Sequence, residues 1–79
     1  MKIQVYRTHG CAKCQEFSRN LELAMKELGL NISLIEEIKL DKARDMDIRG
    51  CPTLILNNEV KSSGEALSVD ELKKLLKEE

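Results

Sequence analysis

Seventy-nine residues, 42% of them hydrophobic, suffice for one small core and therefore for a single domain over residues 1–79. Thirteen Lys and Arg stand against fourteen Asp and Glu, intermixed along the chain, which excludes the basic stripe of a nucleic-acid binder. No stretch approaches the roughly 20 apolar residues of a membrane span, and Met1 to Tyr6 hold no apolar run of signal-peptide length, so the expectation is a cytoplasmic monomer with neither a membrane nor a nucleic-acid partner.

Lys2 to Arg7 alternate apolar and polar residues, which predicts a strand with Ile3 and Val5 on its core face. Thr8, His9 and Gly10 break it. Between Ala12 and Leu28, the residues Phe17, Leu21, Ala24 and Leu28 recur at spacings of four, three and four, with Met25 widening the stripe. That is the period of an amphipathic helix, ended by Gly29 at the C′ position. Asn31 to Leu40 is rich in Ile and Leu and reads as a second strand, and Asp41 to Asp47 supports one or two helical turns through Ala43 and Met46. Thr53 to Leu56 is an apolar strand, Asn57-Asn58 a hairpin turn, and Glu59 to Ser62 the returning strand. Ser68 and Glu71 form a capping box ahead of Leu72, Leu75 and Leu76.

The order is β-α-β-α-β-β-α. A strand-helix-strand opening makes a parallel pair by a right-handed crossover, and a two-residue turn makes the last two strands antiparallel. The class is α/β, with a mixed four-stranded sheet and helices packed on it.

The chemistry concentrates at Cys11 and Cys14. A bridge between them would be a weak staple: the chain-entropy model gives about 2 kcal/mol for a four-residue loop, against about 3 for a 15-residue one. Reactivity explains the spacing better. Three cysteines is also an odd set, unlike that of a stapled secreted domain. Cys11 falls at the helix start, where a thiolate is favoured by the helix dipole, and Lys13 adds a positive charge beside it. Lowering a thiol pKa from about 8.5 to about 7 raises its thiolate fraction at neutral pH roughly 16-fold while costing roughly fivefold in intrinsic nucleophilicity. The net gain in attack is about threefold, so the greater benefit is a better leaving group.

With these elements and two motifs in register, Gly10-Cys11-Ala12-Lys13-Cys14 after the first strand and Ile48-Arg49-Gly50-Cys51-Pro52-Thr53-Leu54-Ile55-Leu56 before the hairpin, the chain resembles the thioredoxin and glutaredoxin superfamily. The likeness is to its small redox-active disulfide proteins of archaea and bacteria. It implies a thioredoxin-like fold and a thiol-disulfide oxidoreductase, a protein-disulfide reductase or electron carrier needing no cofactor. By that resemblance Cys11 is the attacking thiol, Cys14 the resolving thiol and Pro52 a cis proline, with Cys51, Pro52 and Thr53 forming a substrate-binding segment. His9 and Lys13 are candidate modulators. The implied partners are disulfide-containing client proteins and an upstream thiol or flavin reductase. The chain departs from the family pattern at Val5 and Gly10, where thioredoxins usually carry a buried acid and a Trp, so no proton acceptor for the resolving step is assigned.

A second function class competes. Cys11, Cys14 and Cys51 converge if the fold is right, and His9 supplies a fourth ligand, which would make a metal-binding module for zinc, copper or an iron–sulfur cluster. Against it, the usual zinc signature has a second closely spaced ligand pair, which this chain lacks. Cys51 has its own plain reading as a small buried hydrophobe.

Overall fold

In the computed structural model, which describes residues 2–8 and 10–78, strand β1 (Ile3–Tyr6) lies inside the sheet and the other elements are arranged around it. Helix α1 (Ala12–Glu27) and a short 3-10 turn (Ile32–Leu34) lead to β2 (Ile35–Glu37), which pairs parallel with β1. After α2 (Leu40–Asp45), β3 (Thr53–Leu56) joins β1 antiparallel on its other side. β4 (Glu59–Ser63) pairs antiparallel with β3, and α3 (Val69–Glu78) follows it. The sheet order is β2-β1-β3-β4, mixed as the sequence predicts.

Both faces of the central strands are covered. Ile3, Val5, Leu54 and Leu56 pack with Phe17, Leu21, Ala24 and Met25 of α1 and with Leu72 and Leu76 of α3. The alternate residue Ile55 packs on the opposite face with Ile38 and with Ala43 of α2. This second layer alters the simple inside-outside alternation expected of β1. Gln4 pairs across from Ile55 and is 1% exposed, with neither amide atom hydrogen-bonded.

Local sequence explains the element ends. Gly29, at φ +73°, places the Leu30 N–H on the Met25 carbonyl at 2.8 Å and its own N–H on the Lys26 carbonyl at 3.1 Å, the two bonds of a Schellman motif. Asn57 and Asn58 both take positive φ, as a tight hairpin turn with the twist of its strands requires. Ser68 and Glu71 cap α3 reciprocally, each side chain accepting from the other's backbone N–H at 3.2 Å. The second strand is shorter than Asn31 to Leu40. The Asn31 side chain accepts from the Ser33 N–H at 2.9 Å and winds the chain into the 3-10 turn, so only Ile35, Glu36 and Glu37 pair with β1.

Candidate active site

Cys11 is the N-cap of α1. Its backbone is extended, its carbonyl accepts the Gln15 N–H at 3.1 Å, and its sulfur accepts the Cys14 N–H at 3.4 Å. Gly10, at φ +75°, delivers the chain to this position in a conformation that costs a residue with a Cβ about 1 kcal/mol or more. Cys11 is half-buried, whereas Cys14, inside the first turn, is buried. The two thiols are therefore unequal. The Cys14 thiol, then the Cys14 backbone N–H, hold the Cys11 thiol below its ordinary range, helped by the Lys13 N–H and the Cys51 thiol and opposed by partial burial. Burial pushes the Cys14 thiol up, reinforced by Cys11 and opposed by hydrogen bonds from the Thr8 backbone and hydroxyl. The Lys13 contribution among these groups comes from its backbone N–H.

The second motif arrives from β3. The Cys51–Pro52 peptide bond is cis. Pro52 is buried, and its carbonyl accepts the Gly64 N–H at 2.9 Å. Thr53 is buried too, with its hydroxyl donating to the Gly50 carbonyl at 2.6 Å and lying 3.1 Å from the Ser63 hydroxyl. A Cβ on Gly50 would sit 3.2 Å from the Gly64 backbone nitrogen, so the loop is pressed against the end of β4. These bonds fix the backbone of the segment that the resemblance assigns to substrate binding. They hold the loop from behind and leave half-buried Cys51 as the member of the segment that reaches the surface.

The sulfurs of Cys11, Cys14 and Cys51 all lie within 4.8 Å of one another. His9, the other expected participant, lies outside the described residues. Thr8 takes a place that sequence reasoning gave to a strand break: its hydroxyl oxygen is 3.5 Å from the Cys51 sulfur and 3.9 Å from that of Cys14. Position is the only signal that could have found it, since a hydroxyl residue just ahead of the first cysteine follows β1 into the site. Beside Cys14 opens a cleft of about 550 Å³, lined among others by Arg7, Ser18, Arg19 and Glu37. Arg7 donates to the Ser18 hydroxyl at 2.7 Å and pairs with Glu37. Glu37, read from the sequence as solvated charge, is 65% exposed there, so the pair contributes little to stability. The buried acid of the family pattern is replaced by Val5, which is 0% exposed within the core, and no carboxylate joins the sulfur cluster among the described residues.

A dithiol capping a helix, set against a cis-proline loop at the end of a β2-β1-β3-β4 sheet, defines a thioredoxin-like protein. A family model described as a thioredoxin domain matches residues 1–77. A protein named thioredoxin from Methanothermobacter thermautotrophicus (strain Delta H) is 37% identical over 76 residues, covering 96% of this chain and 97% of that one. A solved structure described as that of a malarial protein superposes with a TM-score of 0.67 over 96% of this chain and 92% of its own, at 22% identity, a likeness of fold. The chain belongs to the thioredoxin family, and thiol-disulfide oxidoreductase chemistry is the general function that membership carries. Among the described residues no helix is long and apolar enough to cross a membrane.

Proposed function

We propose that this protein is a protein-disulfide reductase, or electron carrier, that works through the Cys11-Ala12-Lys13-Cys14 dithiol. The observation that carries the reading is the inequality of the two thiols: Cys11 is half-buried at the helix cap with a backbone N–H on its sulfur, and Cys14 is buried within the first turn. Such a pair separates attack from resolution.

The Cys11 thiolate attacks one sulfur of a client disulfide; the Cys11–client bond forms, the client S–S bond breaks, and the first client thiol leaves as thiolate and takes a proton from solvent. Cys14 then gives up its proton and attacks the Cys11 sulfur. The Cys11–Cys14 disulfide forms, the mixed disulfide breaks, and the second client thiol is released. Two electrons and two protons pass to the client. An upstream thiol or flavin reductase of the cytoplasm restores the dithiol, and neither step requires a cofactor or a second subunit.

The loop of Cys51 and Pro52 supports the same reading, because an extended client strand can lie along it while the buried proline and Thr53 keep it in place. Insulin reduction driven by dithiothreitol tests the proposal. Wild type should accelerate it catalytically and Cys11→Ser should return it to the uncatalysed rate. Retained turnover in Cys11→Ser would overturn the assignment.

A further inference from the structure

Thiol-disulfide exchange through a Cys-x-x-Cys pair uses two sulfurs, and here three converge. We propose that Cys11, Cys14 and Cys51 of the reduced protein form a trithiolate site for one soft monovalent cation of the Cu(I) type. The site shares two residues with the dithiol assigned above but does not depend on that reading.

The geometry comes first. Three sulfurs mutually within 4.8 Å leave a point no more than about 2.8 Å from each. A metal–thiolate bond is about 2.3 Å long. Each sulfur therefore needs to draw in by at most about half an ångström, a displacement that a small side-chain rotation supplies. The frame that carries them is already in place. Cys11 is held as the cap of α1 and Cys14 within its first turn, while Cys51 sits on a loop fixed by the Thr53 hydroxyl on the Gly50 carbonyl and the Gly64 N–H on the Pro52 carbonyl.

The donor chemistry selects the ion. An all-thiolate set favours Cu(I), zinc or an iron–sulfur centre over hard cations. Structural zinc closes a tetrahedron of four protein ligands, and a lone cluster is held by four cysteines. Among the described residues this group offers three ligands, His9 lying outside them. A closed-shell monovalent ion is satisfied by a trigonal set, so Cu(I) fits without a fourth ligand.

The surroundings suit coordinated thiolates. The Cys14 N–H points at the Cys11 sulfur, and the Thr8 hydroxyl, lying 3.5 Å from the Cys51 sulfur and 3.9 Å from that of Cys14, can donate to either. Such outer contacts orient ligands and tune affinity. Cys14 is buried and forms the floor, while half-buried Cys11 and Cys51 leave an entry from the surface. Binding replaces S–H protons, which pass to solvent, and transfers no electrons. Closing the Cys11–Cys14 disulfide removes two of the three ligands, so the oxidised protein releases the ion and the loaded protein cannot attack a disulfide.

The test uses the full chain, reduced and anaerobic, with Cu(I) supplied and competed by bathocuproine disulfonate. The expected result is one Cu(I) per chain with three sulfur neighbours by X-ray absorption. Cys51→Ser and Cys51→Val should each shift the count to two sulfurs and weaken binding by at least about tenfold, the lower end of what even outer-shell changes cost. The wild-type sulfur count decides the matter if both variants fail to fold. Two sulfurs in wild type would overturn the site, as would unchanged affinity in folded Cys51 variants. Zinc retained at one equivalent in the presence of equimolar Cu(I) would overturn the choice of ion. The dithiol reading is judged separately, by insulin turnover of the metal-free protein and its loss in Cys11→Ser, so either assignment can fail without the other.

Discussion

The backbone N–H of Cys14 donates to the sulfur of Cys11 at 3.4 Å, so the two free cysteines are joined by a helix cap. Capping and thiolate stabilisation are one interaction here. An N-cap side chain ordinarily offers an oxygen to the first turn's unpaired N–H groups, and a thiolate at that position meets the same groups with a full negative charge. The helix that positions the Cys11 sulfur also favours its thiolate, and the two thiols differ by depth: one sulfur sits on the cap and the other within the turn.

Alkylation should read that separation directly. Cys11 is held below the ordinary thiol range and Cys14 above it, so the Cys11 rate with iodoacetamide should begin to rise at lower pH. At neutral pH a larger fraction of Cys11 is thiolate, and mass spectrometry should find it modified first. Faster labelling of Cys14 would reverse the roles.

Cys14→Ser should accumulate client adducts on Cys11 that dithiothreitol releases, because attack survives and the buried resolving thiol is gone. The Cys51 sulfur remains within 4.8 Å of Cys11 and can resolve part of them. Cys14→Ser combined with Cys51→Val should therefore hold several-fold more adduct than Cys14→Ser alone, read on non-reducing gels. Equal yields would show that Cys51 does not resolve, and turnover of Cys14→Ser at the wild-type rate would remove Cys14 from the mechanism.

Features written in short-range spacing were legible in the sequence. The Phe17, Leu21 and Ala24 stripe, the Ser68–Glu71 box and the Asn57-Asn58 turn each depend on residues a few positions apart, and each appears in the structure. Features that depend on what covers a strand were not. Nothing near Gln4 announces that α2 will cover its face, and Thr8 looks like a turn residue until β1 and β3 bring Cys51 beside it. The Lys13 N–H that acts on Cys11 was illegible for a related reason: it is common to every residue but proline, so the residue type does not announce it. The meeting of Cys51 with the dithiol spans some forty residues and was legible only through the family pattern.

Gln4 gives a stability prediction. Both of its amide atoms are buried without a partner, a condition that costs about 1–3 kcal/mol for such a group. Gln4→Met keeps the bulk and removes the polar atoms. Urea unfolding should show a gain of about 1 kcal/mol, with an unchanged m-value and a melting temperature about 4–8 °C higher. A loss of stability would mean that the amide is satisfied by an interior water.

The last prediction concerns how Cys14 loses its proton where the family's buried acid has been replaced by Val5. Burial pushes this thiol up, and the Thr8 backbone and hydroxyl are the groups that oppose the shift. Thr8→Val keeps the shape and the backbone N–H but removes the hydroxyl, leaving the Cys14 thiolate with one donor fewer. The contact is long, at 3.9 Å, so the loss falls below the range for a good hydrogen bond to a charged group, at about 1 kcal/mol or roughly fivefold in rate. The effect should be confined to resolution. Release of client from a preformed Cys11 adduct should slow about fivefold at neutral pH, and the deficit should shrink as pH rises and Cys14 deprotonates unaided. Alkylation of Cys11 should hold its wild-type profile, because Thr8 is absent from the groups that tune that thiol. A deficit constant across pH, or one shared by Cys11 alkylation, would remove the Thr8 hydroxyl from the resolving step.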